Sequence, residues 1–147
     1  MSTRLGPAWP PLMSRRPPHM SPEDEEIYRI WWPQHAHLAK EVYFDVGVGP
    51  GASSAVPPNA PTNYAGAWIH NTQKRIDMVA VLEREIWIIE FRHAATSNAV
   101  GRLLQYDLLW AKDPPFPTPV KLFLVTNHYD ADLALLSERA RIAYHWV

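Results

Sequence analysis

The sequence predicts an α/β domain whose elements follow the order αβββαβα, with a further strand in "IAYHWV" at residues 142–147. Segments rich in β-branched and aromatic residues occur at 41–49, 76–82, 85–91 and 120–127, which is typical of strands. Segments with apolar residues at helical spacing lie between them. The run "IWII" at 86–89 is apolar at every position, which indicates a central strand covered on both faces.

The first helix is predicted from Pro22 to about Trp32. Ser21 is a suitable N-cap, proline suits the first turn, and the acidic residues that follow favour the positive end of the helix dipole. Pro33 interrupts the helix because proline restricts the residue before it and removes a donor. A second helical piece is expected to continue to Lys40.

A second long helix is predicted from Thr96 or Ser97 to about Lys112. Its apolar face is predicted to contain four residues at helical spacing: Val100, Leu103, Leu104 and Leu108. The run "DPPFPTP" at residues 113–119 ends this helix. A last helix is expected from Asp130 to Ala140.

The amino-terminal segment is rich in proline, with six of the 15 prolines in the first 22 residues. Proline removes a main-chain donor and fixes φ, so we expect an extended arm over residues 1–21, followed by one α/β domain over residues 22–147. We expect Trp9, Leu12 or Met13 to anchor the arm on its own domain or on a neighbouring subunit.

Residues 50–66 form a second irregular segment, composed largely of proline, glycine, serine and asparagine. Structureless loops of this length in compact domains commonly have a binding role. We therefore expect residues 1–21 and 50–66 to contact neighbouring subunits, either in a homo-oligomer or in a larger assembly. A short strand around Trp68 and Ile69 is predicted after the loop.

The composition excludes several classes of protein. The formal net charge of −1 gives no overall electrostatic attraction to nucleic acid, although a local basic patch remains open. The absence of cysteine excludes disulfides and cysteine-ligated zinc. No apolar run reaches the ~18 residues of a membrane span, so no membrane partner is expected. The first residues lack the apolar core of a signal peptide, so secretion by that route is not expected.

Three charged residues lie where a β-hairpin would place them together. With Glu83 and Arg84 as the turn, position 82 pairs near 85, so Asp77 lies opposite Glu90 with about 5 Å between Cβ atoms. Arg92 shares a face with Glu90. Paired carboxylates on adjacent strands can hold Mg²⁺ or Mn²⁺ for phosphodiester hydrolysis. The alternative is a salt bridge of Asp77 or Glu90 with a neighbouring arginine, Arg75 or Arg92.

The order of elements and these motif positions resemble the PD-(D/E)xK nuclease superfamily over about residues 22–127. Its aspartate corresponds to Asp77 in "RIDMVAVLE", and its Glu-x-Lys to Glu90-Phe91-Arg92. The helix "NAVGRLLQYDLLW" carries Gln105 and Tyr106 where the family often has glutamine and tyrosine. The resemblance implies an αβββαβ mixed-sheet core, metal binding by Asp77 and Glu90, and catalytic roles for Asp77, Glu90, Arg92 and Gln105.

Arg92 is a departure from the family, because it stands where the family has lysine. Its guanidinium is effectively always charged and does not replace an ammonium at a tight site. The resemblance therefore implies a weak or degenerate nuclease. Since proteins of this fold occur among phage head-completion and neck proteins, it also implies a structural subunit of a viral assembly, in the virion or the host cytoplasm. The alternative is an active magnesium-dependent endonuclease with DNA as its partner.

Overall fold

The centre of the protein is a five-stranded mixed β-sheet with the strand order β1-β2-β3-β4-β5. The computed structural model describes residues 3–12, 16–51, 59, 61 and 72–147. The first three strands are antiparallel neighbours, and β3, β4 and β5 are parallel. Their bounds are β1 Ala39–Val48, β2 Lys74–Leu82, β3 Ile86–Arg92, β4 Val120–Thr126 and β5 Ile142–Trp146.

The helices of the described residues are α1 Pro22–Trp31, α2 Ser97–Lys112 and α3 Ala131–Arg139. Two single-turn 3-10 helices, Trp32–Gln34 and Ala36–Leu38, connect α1 to β1 in place of the second helical piece predicted to Lys40. The α/β class and the order of these elements confirm the prediction. Helix α1 begins as expected, because the Ser21 side chain accepts a hydrogen bond from the main-chain N–H of Asp24.

Two apolar cores lie on opposite faces of the sheet. The core under α1 contains its buried residues Ile27, Tyr28 and Trp31. The other core lies under α2 and α3 and contains Leu103 and Leu133. Strand β3 contributes alternate residues to the two cores, which confirms that the "IWII" run is covered on both faces.

The predicted apolar face of α2 is partly wrong. Val100 and Leu103 are buried, but Leu104 is 44 % exposed and Leu108 is 60 % exposed. The buried stripe instead follows Leu103 with Tyr106 and Trp110, because these positions stay in line at 3.6 residues per turn. The bulk of the two aromatic side chains decides which side of the helix faces the sheet.

The described part of the amino-terminal segment lies along β1 of its own domain. Residues 3–12 contain no helix, and their contacts with the strand are two isolated antiparallel bridges, Arg4 with Gly47 and Trp9 with Val42. The Trp32 Nε1–H donates to the Pro11 carbonyl at 2.6 Å. Of the three predicted anchors, Trp9 packs against the α1-side core, Leu12 is 63 % exposed, and Met13 lies outside the described residues.

The other predicted contact segment, residues 50–66, falls almost wholly outside the described residues, as do Trp68 and Ile69. Contacts of residues 1–21 or 50–66 with other subunits stay a prediction. Within the described part of the chain, no helix has the length and apolar character needed to cross a membrane.

Candidate functional site

The β2–β3 hairpin brings Asp77 opposite Glu90. The observed pairs, from Met78 with Ile89 to Val81 with Ile86, have the register predicted from the turn, and the paired positions end one residue before Asp77 and Glu90. Glu90 lies between two residues of the α1-side core, so its side chain points to the opposite face, toward α2.

Strand β2 changes its orientation at Asp77. Ile76 belongs to the α2-side core, whereas Met78, two residues further on, belongs to the α1-side core. Across from this point, Asp45 of β1 has a φ of 53°, a left-handed conformation that aspartate tolerates better than most residues. The irregularity turns the Asp77 carboxylate toward the end of β3, where its Oδ2 accepts a hydrogen bond from the Phe91 N–H at 3.0 Å.

Glu90 lies at the centre of a charged cluster that also contains Asp77, Arg92 and Arg102. Its side chain has no exposed surface, and its Oε2 accepts a hydrogen bond from Arg92 Nη2 at 2.5 Å. Arg102 of α2 places its Nη1 3.6 Å from the same oxygen. The other oxygen, Oε1, is buried and has no hydrogen-bond donor among the described residues. Either a proton carried by Asp77 or a cation would satisfy it.

The pKa values in this charged cluster depend on burial and on the proximity of the Asp77 and Glu90 carboxylates. Burial, followed by the charge of Glu90 and a hydrogen bond with it, raises the pKa of Asp77 well above the usual range of aspartate. The Phe91 N–H and the Arg92 charge act in the opposite direction but do not outweigh these effects. Burial would lower the pKa of Arg92, but the hydrogen bond and charge of Glu90 outweigh burial and raise it.

The structure thus brings together three of the four residues predicted to act in catalysis: Asp77, Glu90 and Arg92. Gln105 is exposed on α2 and forms no hydrogen bond or ion pair with these three residues of the described chain, so its role stays a prediction. Its neighbour Tyr106 is buried under α2, and burial, Glu90 and Asp77 together raise the pKa of its phenol. The alternative partner Arg75 is instead paired with Asp45 at 3.0 Å.

Two residues not predicted to take part hold the turn after β3 in place. The Asp24 carboxylate of α1 accepts from the His93 N–H at 2.8 Å. The Asn127 side chain, just after β4, accepts from the Ala94 N–H at 2.8 Å and lies 2.9 Å from the His93 ring. They fix the backbone between Arg92 and α2. The sequence around residues 92–94 could not predict the roles of Asp24 and Asn127, because these two residues are distant from it in the chain.

A cavity of about 170 Å³ opens beside this group, between the end of β3 and the first turns of α2. Arg92 and Arg102 line it together with Thr96 and Asn98. The Thr96 side chain makes no cap hydrogen bond to the helix, so the first N–H groups of α2 lack that partner. Two guanidinium groups beside the positive end of a helix form an environment suited to a phosphate group.

The carboxylate pair fits a small divalent cation. Mg²⁺ and Mn²⁺ prefer oxygen ligands, and Mg²⁺ commonly uses one or two carboxylates together with water and phosphate oxygens. The buried Glu90 Oε1 lacks a donor among the described residues, and a cation would oppose the burial and the Glu90 charge that raise the pKa of Asp77. No group of three histidine, cysteine, aspartate or glutamate side chains suited to a metal occurs among the described residues, so the protein donors would be Asp77 and Glu90.

Replacement of Asp77 by asparagine is expected to increase stability at neutral and alkaline pH. Because the native pKa of Asp77 is raised, folding with aspartate becomes less favourable as pH rises from the usual aspartate range through the native value. Asparagine does not ionise and still accepts from the Phe91 N–H. We expect a gain of about 1 kcal/mol at pH 8, or ~3 °C in Tm.

The gain of Asp77→Asn should disappear below the usual pKa of aspartate, where the carboxyl is protonated in both the folded and unfolded states. Thermal unfolding from pH 3 to pH 9 in the absence of divalent cations measures this. The matched control is Asp132→Asn, at an exposed position of α3. A variant that is less stable than the wild type at pH 8 would contradict the raised pKa of Asp77.

Comparison of the chain with protein-family models, with curated proteins and with solved structures finds no match.

Proposed function

We propose that this chain is a PD-(D/E)xK-like protein with a weak, divalent-metal-dependent nuclease site that acts on DNA. The observation that supports the proposal is the convergence of Asp77, Glu90 and Arg92 at one end of the β2–β3 hairpin. The neighbouring cavity between Arg92 and Arg102 would receive the phosphate to be cleaved. The αβββαβ order of the described elements is the order that the resemblance implies.

In this proposal each side chain has a separate role. Asp77 and Glu90 would hold Mg²⁺ or Mn²⁺, which would supply Lewis-acid stabilisation of the phosphate oxygens. Arg92 and Arg102 orient the phosphate and offset the negative charge that develops on it. The Asp24 and Asn127 side chains are positioning residues, because they fix the turn that follows Arg92.

Arg92 is the reason that the proposed activity is weak. Its pKa is raised, so it stays charged and does not accept a proton from the attacking water. Its guanidinium is also engaged by the Glu90 carboxylate at 2.5 Å. A lysine at this position would present a smaller donor on a flexible stem that adjusts its geometry more readily.

Arg92→Lys is therefore expected to raise metal-dependent cleavage by about tenfold, equivalent to ~1.4 kcal/mol of transition-state stabilisation. The measurement is the rate of cleavage of linear and branched DNA with Mg²⁺ or Mn²⁺. Asp77→Ala is expected to abolish cleavage, and Glu83→Ala, at an exposed position of the hairpin turn, is expected to leave it unchanged. The absence of cleavage by both the wild type and Arg92→Lys would overturn the nuclease proposal.

A second candidate is a structural subunit of a viral assembly in which the nuclease site has become degenerate. The observation that favours it is the enclosure of Glu90, whose carboxylate has no exposed surface and is already balanced by Arg92 and Arg102. Mass photometry of the purified chain distinguishes the two candidates when combined with the cleavage assay. An oligomer that Asp77→Ala leaves intact, without cleavage, supports the structural role. A monomer opposes it.

A further inference from the structure

A cavity of about 460 Å³ lies at the edge of the sheet formed by β5, between that strand and α1. Its walls include Ile30, Trp31 and His35 from α1 and the turn after it, and His145 and Val147 from the end of the chain. Trp31 belongs to the α1-side core, whereas Glu90 points toward α2 on the other face. The cavity is therefore separate from the proposed nuclease site.

The tautomer of His35 is set by the main chain. The His35 Nδ1 lies 2.9 Å from the carbonyl oxygen of Trp31. Because a carbonyl oxygen only accepts hydrogen bonds, Nδ1 is the nitrogen that carries the proton. In the neutral ring Nε2 then has a free lone pair and acts as a hydrogen-bond acceptor.

The tautomer of His145 is the opposite one. The indole Nε1–H of Trp31 donates to His145 Nδ1 at 2.8 Å, and because an indole N–H only donates, this Nδ1 carries no proton. The neutral ring therefore has its proton on Nε2, where it is a donor. Burial is the largest of the causes that lower the pKa of His145, which favours the neutral ring.

Trp31 thus holds both imidazoles at fixed positions. The His35 ring stacks on the Trp31 ring with centroids 4.0 Å apart, and the His145 ring meets it edge-on at 5.5 Å. The two imidazole centroids are 6.0 Å apart. Neither Nε2 has a hydrogen-bond or ionic partner within the described residues. The cavity wall therefore carries one acceptor and one donor on neighbouring rings, together with the Gln34 amide and with aliphatic and aromatic side chains.

This arrangement selects against a metal ion. A metal would need a lone pair on both Nε2 atoms, but the Trp31 hydrogen bond assigns the lone pair of His145 to Nδ1. It favours a neutral planar group that has a donor and an acceptor at neighbouring positions of one edge. The cavity volume lies within the range of ~300–1,000 Å³ that is usual for small-molecule sites.

We propose that this cavity binds the edge of a neutral nitrogen heterocycle with the chemistry of a nucleobase. An exocyclic amino group donates to His35 Nε2, and the adjacent ring nitrogen accepts from His145 Nε2–H. The Ile30 and Val147 side chains cover the apolar part of the ring, and the indole of Trp31 orients both histidines from behind.

Adenosine is the first probe, because it has an amino group beside a ring nitrogen and lacks the phosphate that Arg92 and Arg102 would attract. Titration is followed by the ¹H–¹⁵N resonance of the Trp31 indole, assigned with Trp31→Phe. We expect adenosine to shift this resonance saturably. Purine riboside, which lacks the amino group, is expected to bind at least ~10-fold more weakly, because His35 Nε2 is left without its donor.

Two variants locate the ligand. His35→Phe keeps a ring beside Trp31 but removes the acceptor, so it should weaken adenosine at least ~10-fold and leave purine riboside nearly unchanged. Ile30→Trp, at a position that is 50 % exposed, fills the cavity without disturbing the core and should abolish both shifts. Glu83→Gln, on the exposed hairpin turn, should bind as the wild type does.

Several results would overturn the proposal. One is that adenosine, up to its solubility limit, does not shift the Trp31 indole resonance. Another is that adenosine and purine riboside bind with equal affinity. A third is that Ile30→Trp binds adenosine as tightly as the wild type does. Displacement of adenosine by Zn²⁺ at equimolar protein would identify a histidine metal site instead and would also overturn it.

Discussion

Replacement of Trp31 by alanine is expected to lower the free energy of unfolding by about 3–5 kcal/mol, the range for removal of a large buried aromatic side chain. Trp31 is 3 % exposed, and its ring contacts aromatic side chains from the 3-10 segment after α1 and from β3, β4 and β5. These are Trp32, His35, Trp87, Phe91, Phe123 and His145. The substitution therefore opens a cavity between the helix and three of the five strands.

Urea denaturation measures this change, with the denaturation midpoint and the m-value both recorded. Trp146→Ala is the matched control, because Trp146 is 56 % exposed, and it should cost ~1 kcal/mol or less. Trp31→Phe should fall between the two, since it keeps an aromatic ring but leaves His145 Nδ1 without its donor. A loss below about 1 kcal/mol for Trp31→Ala would show that α1 is not packed as described.

Glu90→Ala is expected to have the second largest effect, a loss of about 2 kcal/mol in the free energy of unfolding together with loss of metal-dependent cleavage. The substitution removes the partner of Arg92 and Arg102 and leaves a space under α2. The loss should stay below that for a fully buried ion pair. One reason is that the arginine side chains are 34 % and 47 % exposed, so water partly replaces the lost carboxylate.

The Asp77 carboxyl gives a second reason for this moderate loss. Removal of the Glu90 charge removes one cause of the raised pKa of Asp77, so this carboxyl ionises more readily and can pair with Arg92. Glu90→Gln should therefore destabilise less than Glu90→Ala, because it keeps the side-chain volume. Chemical denaturation at pH 7 checks both variants, with Glu83→Ala as the exposed control. A Glu90→Ala variant as stable as the wild type would contradict the central position of Glu90.

The hairpin register could be predicted because it depends on local chemistry. A two-residue turn at Glu83-Arg84 fixes which positions of the two strands lie opposite each other, and this predicted that Asp77 lies near Glu90. The "IWII" run similarly required cover on both faces of its strand. These features each depend on residues close together in the sequence.

Features that depend on distant contacts could not be predicted in the same way. The amino-terminal segment pairs with β1, but its own residues contain no signal that selects this strand. The change in the orientation of β2 at Asp77 occurs opposite Asp45, which lies on another strand. The turn after β3 is fixed by Asp24 and Asn127, which are distant in the sequence. Arg102 could have been found as part of the site, because it lies one helical turn before Tyr106 and shares its side of α2.

The proposed function requires that the paired carboxylates of Asp77 and Glu90 hold a divalent cation. Isothermal titration of Mn²⁺ into the protein at pH 7.5 measures this without any need for catalysis. We predict one Mn²⁺ per chain for the wild type and for Glu83→Gln, and no binding for Asp77→Asn or Glu90→Gln. Equal binding by the wild type and Asp77→Asn, or no binding by the wild type, would contradict the claim.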